Sequence, residues 1–131
     1  MTRKRTRVGA AILSDNRAMA TEKTVRSLAL ALPEASERPC YGTPGFYVKK
    51  KLFARLLPDR KTLAVRVDLG EREALLAAAP EVFFLTPHYE GWPMVLIHLP
   101  RIERADLEDR LAEAWRFMAP AKLLAAFDAS Q

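Results

Sequence analysis

The chain has 131 residues, half of them hydrophobic, and a formal net charge of +5. That is the size of one domain, since domains usually run about 100–150 residues, and the apolar content excludes wholesale disorder. No apolar run approaches the ~20 residues needed to cross a bilayer, and with Cys40 as the single cysteine no intrachain disulfide can form.

Residues 1–20 carry Arg3, Lys4, Arg5, Arg7 and Arg17 against Asp15 and show no sustained periodicity. They read as a flexible basic arm with a short helical stretch near residues 8–13. That stretch is short for a signal-peptide core and no cleavage site follows it, so a cytoplasmic protein is expected. Order is expected over 21–128, as a single domain. Thr21 is a plausible N-cap for a helix over 22–32, in which Val25, Leu28, Ala29 and Leu32 recur at helical spacing before Pro33 stops the run. Pro39, Gly42 and Pro44 mark 34–44 as mostly loop.

Strand character then takes over. Residues 45–49 place Phe46 and Val48 on one face. After a tight lysine turn, 52–57 place Leu52, Ala54 and Leu56 on one face, with Phe53 and Arg55 on the other. Pro58-Asp59-Arg60-Lys61 is turn chemistry. Over 62–68, Leu63, Val65 and Val67 point inward and Ala64 and Arg66 outward, completing a three-stranded antiparallel meander. A second helix opens at Gly70 with Glu71 and Glu73 in its first turn, buries Leu75, Leu76 and Ala79, and ends at Pro80. Residues 82–86 and 94–99 are two further strands around a turn-rich 87–93. The last long helix covers 103–118, with Leu107, Leu111, Ala114, Trp115 and Met118 on one face, and Pro120 opens a short terminal helix bearing Leu123, Leu124 and Phe127. The expected fold is therefore two-layer α+β, with about five antiparallel strands in the order α-βββ-α-ββ-α and a short last helix. Trp115, Leu111, Leu28, Val65 and Leu56 are expected to share one core.

Chemistry-bearing motifs are scarce. There is no phosphate-cradling glycine loop and no GxSxG serine, and His88 and His98 lack a close second ligand pair. The carboxylates fall mainly on helices as solvated faces, and nothing near Cys40 in sequence would activate it. No catalytic residue, metal site or cofactor is expected, and the chain is read as a non-enzyme. Charge is the stronger signal. Residues 38–67 carry eight bases against Asp59, while 68–131 carry eleven acids against six bases. A polarised molecule of this kind suits a polyanionic partner and equally a solvated surface.

The series Tyr41-Gly42-Thr43-Pro44, Lys51-Leu52-Phe53-Ala54-Arg55-Leu56, Val65-Arg66-Val67-Asp68, Glu71-Arg72-Glu73-Ala74-Leu75-Leu76, Phe84-Leu85-Thr86-Pro87-His88-Tyr89 and Gly91-Trp92-Pro93 continues into Ala114-Trp115-Arg116 and Ala119-Pro120-Ala121-Lys122. In this order it resembles the MmcQ/YjbR-like family over about residues 21–128. The family pattern usually has glycine where Lys50 stands, and the arm 1–20 lies outside the resemblance. What the resemblance implies is a compact fold with a double-wing arrangement and DNA binding. Both expected hairpin turns are basic, so Lys49, Lys50, Lys51, Arg60 and Lys61 are candidate phosphate contacts, with Arg55 and Arg66 behind them on the sheet. His88, Tyr89 and Trp92 form a second candidate surface, able to stack on unpaired bases or to cap the core at a strand end. The rival reading is a non-catalytic module that binds a protein or small ligand through an apolar or aromatic patch, because both faces of the strand at 82–86 are apolar.

Overall fold

A computed structural model describes residues 20–131. The basic arm read over 1–20 therefore lies, apart from Ala20, outside the described residues. Helix α1 (Glu22–Leu30) begins at Thr21, whose hydroxyl accepts from the Thr24 N–H while the Thr24 hydroxyl accepts from the Thr21 N–H. This reciprocal cap satisfies two of the helix's orphan donors. Strands β1 (Ala35–Cys40), β2 (Thr43–Val48), β3 (Lys51–Leu56) and β4 (Thr62–Arg66) follow, then α2 (Leu69–Ala78), β5 (Phe83–Phe84), β6 (Met94–His98), α3 (Arg104–Met118) and α4 (Ala121–Ala129). All six strands pair antiparallel, in the sheet order β1-β2-β3-β4-β6-β5.

The expectation of about five strands needs one correction, because most of 34–44 is not loop. Residues 35–40 form the edge strand β1, paired with β2 through a two-residue turn at Tyr41 and Gly42. Pro39 and Pro44 face each other one step from the Cys40–Thr43 pair that flanks the turn. Antiparallel pairs alternate, and at this step the ladder requires no N–H from either ring, so both prolines are tolerated at the sheet's edge.

The second correction concerns β3. A bulge shifts the register between Phe46 and Tyr47, so that Phe46 faces Ala54 while Tyr47 faces Leu52. Phe53 is the extra residue. It joins Ala54 and Leu56 in the core, and Leu52 moves to the other face beside Arg55, opposite to the strict alternation expected there.

Helix α3 packs on β3 and β4, and α1 packs on α3 and β1. Trp115, Leu111, Leu28, Val65 and Leu56 meet in this core as expected. Helix α4 closes it from the side, the Phe127 ring standing edge-on to Trp115 at 5.0 Å between centroids. On the sheet's other face a smaller cluster of Ala64, Tyr89, Met94 and Leu96 is bordered by Leu57, Phe84 and Leu85. Phe83 thus enters the main core and Phe84 the smaller cluster, and both faces of β5 are occupied. Among the described residues no helix is long and apolar enough to cross a membrane.

Candidate functional site

The face of the sheet opposite α1 and α3 carries a cleft of about 540 Å3 between the β1–β2 hairpin and the segment 87–94. Its floor depends on a glycine. A Cβ at Gly45 would lie 2.8 Å from the Cys40 Cβ and 3.1 Å from Leu52 Cδ1, so only the bare backbone lets those side chains meet over β2. Arg55 stands opposite Ala64, and Arg66 lies two residues further along the same face of β4. Diagonal neighbours of this kind are about 7–8 Å apart. Arg55 donates from Nε to the Cys40 carbonyl (3.1 Å) and from Nη1 to the Tyr89 hydroxyl (3.1 Å), and Arg66 donates from Nε to the Leu52 carbonyl (3.3 Å). These bonds aim two guanidiniums and occupy few of their ten N–H groups. Among the described residues no carboxylate lines the cleft.

Aromatic rings form its walls. Tyr41, at the tip of the β1–β2 turn, is 92% exposed, and its ring centroid lies 5.4 Å from the Arg55 guanidinium. Trp92 is 52% exposed on the opposite wall. Tyr89 is buried and caps the smaller apolar cluster, with His88 edge-on to it at 4.8 Å. The Arg38 guanidinium lies 3.9 Å over the Tyr47 ring, next along β1 and β2. Burial raises the Tyr47 phenol above its ordinary value of 10, and the neighbouring Cys40 adds to the rise against the pull of Arg38 and Arg55.

The wall bearing Tyr89 and Trp92 is held by a residue that periodicity did not single out. Arg72 of α2 is buried, and its Nη1 donates to the carbonyls of Trp92 (2.7 Å), Met94 (3.1 Å) and Tyr89 (3.4 Å). Its Nη2 donates to the Glu90 carbonyl at 3.3 Å. The expected buried stripe of α2, Leu75, Leu76 and Ala79, is only partly buried, and Arg72 is the residue of that helix that goes inside.

The candidates read from sequence fall into three places. Arg55 and Arg66 join His88, Tyr89 and Trp92 in the one cleft, which merges two surfaces that the sequence kept apart. Lys49, Lys50 and Lys51 are exposed at one end of β3, and Lys49 lies 3.7 Å from Glu34. Arg60 and Lys61 sit at the other end of β3, which six residues of strand place roughly 17–20 Å away. Arg60 is engaged there with Glu22 at 3.0 Å, while Lys61 borders a second cleft on the same face. That cleft also contains His98, stacked on Phe84 at 4.0 Å. Tyr41, Cys40 and Leu52 reach the first cleft only through the β1–β2 hairpin and the β3 bulge, neither of which leaves a hydropathy signal. Among the described residues no group of three or more His, Cys, Asp and Glu side chains is placed to hold a metal ion.

Comparison with known proteins adds three findings. The model of the family described as YjbR matches residues 30–117. The uncharacterised proteins Rv2570 of Mycobacterium tuberculosis and Mb2600 of Mycobacterium bovis are each 46% identical over 71 residues, covering 53% of this chain. The match spans 55% of those relatives, so about half their length. The crystal structure of protein DR2400 of Deinococcus radiodurans, with a DUF419 domain, superposes with a TM-score of 0.66 at 22% identity, over 79% of this chain and 82% of that one.

Proposed function

This chain belongs to the YjbR family, and we propose that it is a non-catalytic DNA-binding protein that grips phosphates with little base preference. The observation that carries the reading is the cleft, lined by no carboxylate among the described residues, in which Arg55 and Arg66 stand beside exposed aromatic rings on the face of the sheet opposite α1 and α3. Guanidiniums that keep unused N–H donors suit phosphate oxygens. Lys50 and Lys51, exposed at the β2–β3 turn, extend the same basic character beyond the cleft. The non-catalytic part of the reading rests on the partners of the nucleophilic groups. Cys40 is half-buried with no charged carboxylate or imidazole bonded to it among the described residues, and His88 is packed against Tyr89.

Phosphate contacts release counterions, so affinity should fall steeply with salt. With about four phosphates engaged, the log–log slope for duplex DNA is expected at roughly −3 to −4. Replacing Lys49, Lys50 and Lys51 with Ala should weaken all sequences alike and flatten the slope, because lysines on a turn lack the bidentate geometry that reads guanine. Deleting residues 1–20 is the control. Binding that survives the triple substitution and disappears with the arm would sink the role given to the domain. A second reading, a module for a protein or small ligand, is favoured by the exposure of Tyr41 and Trp92. It requires binding that salt barely weakens.

A further inference from the structure

We propose that the cleft between Tyr41 and Trp92 holds one unpaired base of a single strand, with Tyr41 as the stacking residue. The proposal rests on the DNA-binding reading and names the form of nucleic acid that this face selects.

Two guanidiniums with unused donors, in a cleft that no carboxylate among the described residues lines, call for an anion, although Arg66 also borders the neighbouring cleft of Asp68, Glu71 and Glu113. Two exposed aromatic walls call for a planar ring. A nucleotide unites both demands, and about 540 Å3 lies within the range of small-ligand clefts. A base inside a duplex cannot enter, because its faces are already stacked on its neighbours.

The backbone of Tyr41 points the same way. Its φ is 52°, in the left-handed region, at the first position of a turn whose second residue, Gly42, has φ 84°. Asn or Gly adopts that conformation readily and a bulky aromatic does not. Nor does burial compensate, since Tyr41 is 92% exposed. Within the chain the ring meets the Arg55 guanidinium at 5.4 Å, and its remaining surface is open to a partner. The opposite wall is firm, because Arg72 holds the Trp92 carbonyl at 2.7 Å.

The full chain offers two readouts. Anisotropy of a short labelled oligothymidylate, single-stranded or in duplex, measures affinity. Tryptophan emission reports on Trp92, because Trp115 is fully buried with its Nε1 donating to the Pro33 carbonyl. Trp92→Phe should abolish the response. Tyr41→Asn suits the turn, so its melting temperature should equal or exceed that of the parent. Its affinity for the single strand should nevertheless drop about tenfold, the loss of one base–aromatic stack, with duplex affinity and both salt slopes unchanged. Tyr41→Phe should bind as the parent does, and the oligothymidylate should quench Trp92. Equal losses for both forms of DNA, or a bound single strand that leaves Trp92 emission unaltered, would overturn the base clamp while the phosphate reading stands. Failure of the parent chain to bind either form would remove both.

Discussion

Arg72 shows how much of the site hangs on one side chain. It is the only charged residue buried among those described, and four backbone carbonyls of the segment 89–94 serve it in place of a carboxylate. A buried cation is tolerated when most of its donors are satisfied, and here the acceptors gain as well, because an irregular segment would otherwise bury carbonyls without partners. Its Nε has no hydrogen-bond partner, so the fork is used at its terminal nitrogens only. Arg72→Ala should cost about 3 kcal/mol in urea unfolding, the scale for stranding several buried polar groups. Arg72→Lys should recover only part of it, since an ammonium cannot span the same carbonyls. A loss below about 1 kcal/mol for Arg72→Ala would refute this role. The residue escaped the reading of α2 because its partners lie 17 to 22 positions away and are backbone atoms, which hydropathy does not record.

Between elements, the strand that the sequence did not show is secured by charge. Arg26 of α1 donates to Glu37 of β1 at 2.7 Å and to Glu22 at 3.1 Å, and Arg60 from the β3–β4 turn also reaches Glu22. One network thus joins α1, the edge strand and a turn. The Arg26 hydrogen bonds hold the carboxyls of Glu22 and Glu37 below their ordinary 4.5. Groups depressed in this way stabilise the fold fully above that value, and the contribution is lost as pH falls through the lowered one. His98 acts in a higher window. Burial, aided by Arg101, holds its imidazole below 6.5, so beneath that pH the unfolded chain binds more protons and stability declines. Urea midpoints measured against pH should therefore begin to drop below about 6.5 and drop again below about 4.5. His98→Gln should remove the first decline. Glu37→Gln should be less stable near neutrality and shallower in the second. An unchanged acid profile in Glu37→Gln would leave β1 without its proposed anchor.

For the molecule as a whole, the decisive feature is a sheet with α3 packed on one face and α1 against it. Leu111, 1% exposed, joins α3 to the strands beneath it, and Leu111→Ala should cost about 2–5 kcal/mol, a large part of the ~5–15 kcal/mol that holds a domain together. Calorimetric or urea unfolding would check it, and a near-neutral result would mean that the core is not shared as described. That core was legible from the chain alone. Leu28 and Leu111 recur at helical spacing and Val65 alternates along its strand, because one-sided burial imprints a period of 3.6 or 2 on the sequence. The long helices and five of the six strand positions follow from the same imprint, with β5 shortened to Phe83–Phe84. Basic character around 49–51, 55 and 66 was also written in the chain, but where each base points was not. Tertiary structure decided that 35–40 pair as an edge strand, that Phe53 bulges and turns Leu52 outward, and that Arg55, Arg66, Tyr41 and Trp92 share one cleft. The physical reason is range. Periodicity reports which side of an element is buried, whereas an edge, a bulge and a cleft are set by strands that meet only once the chain has folded.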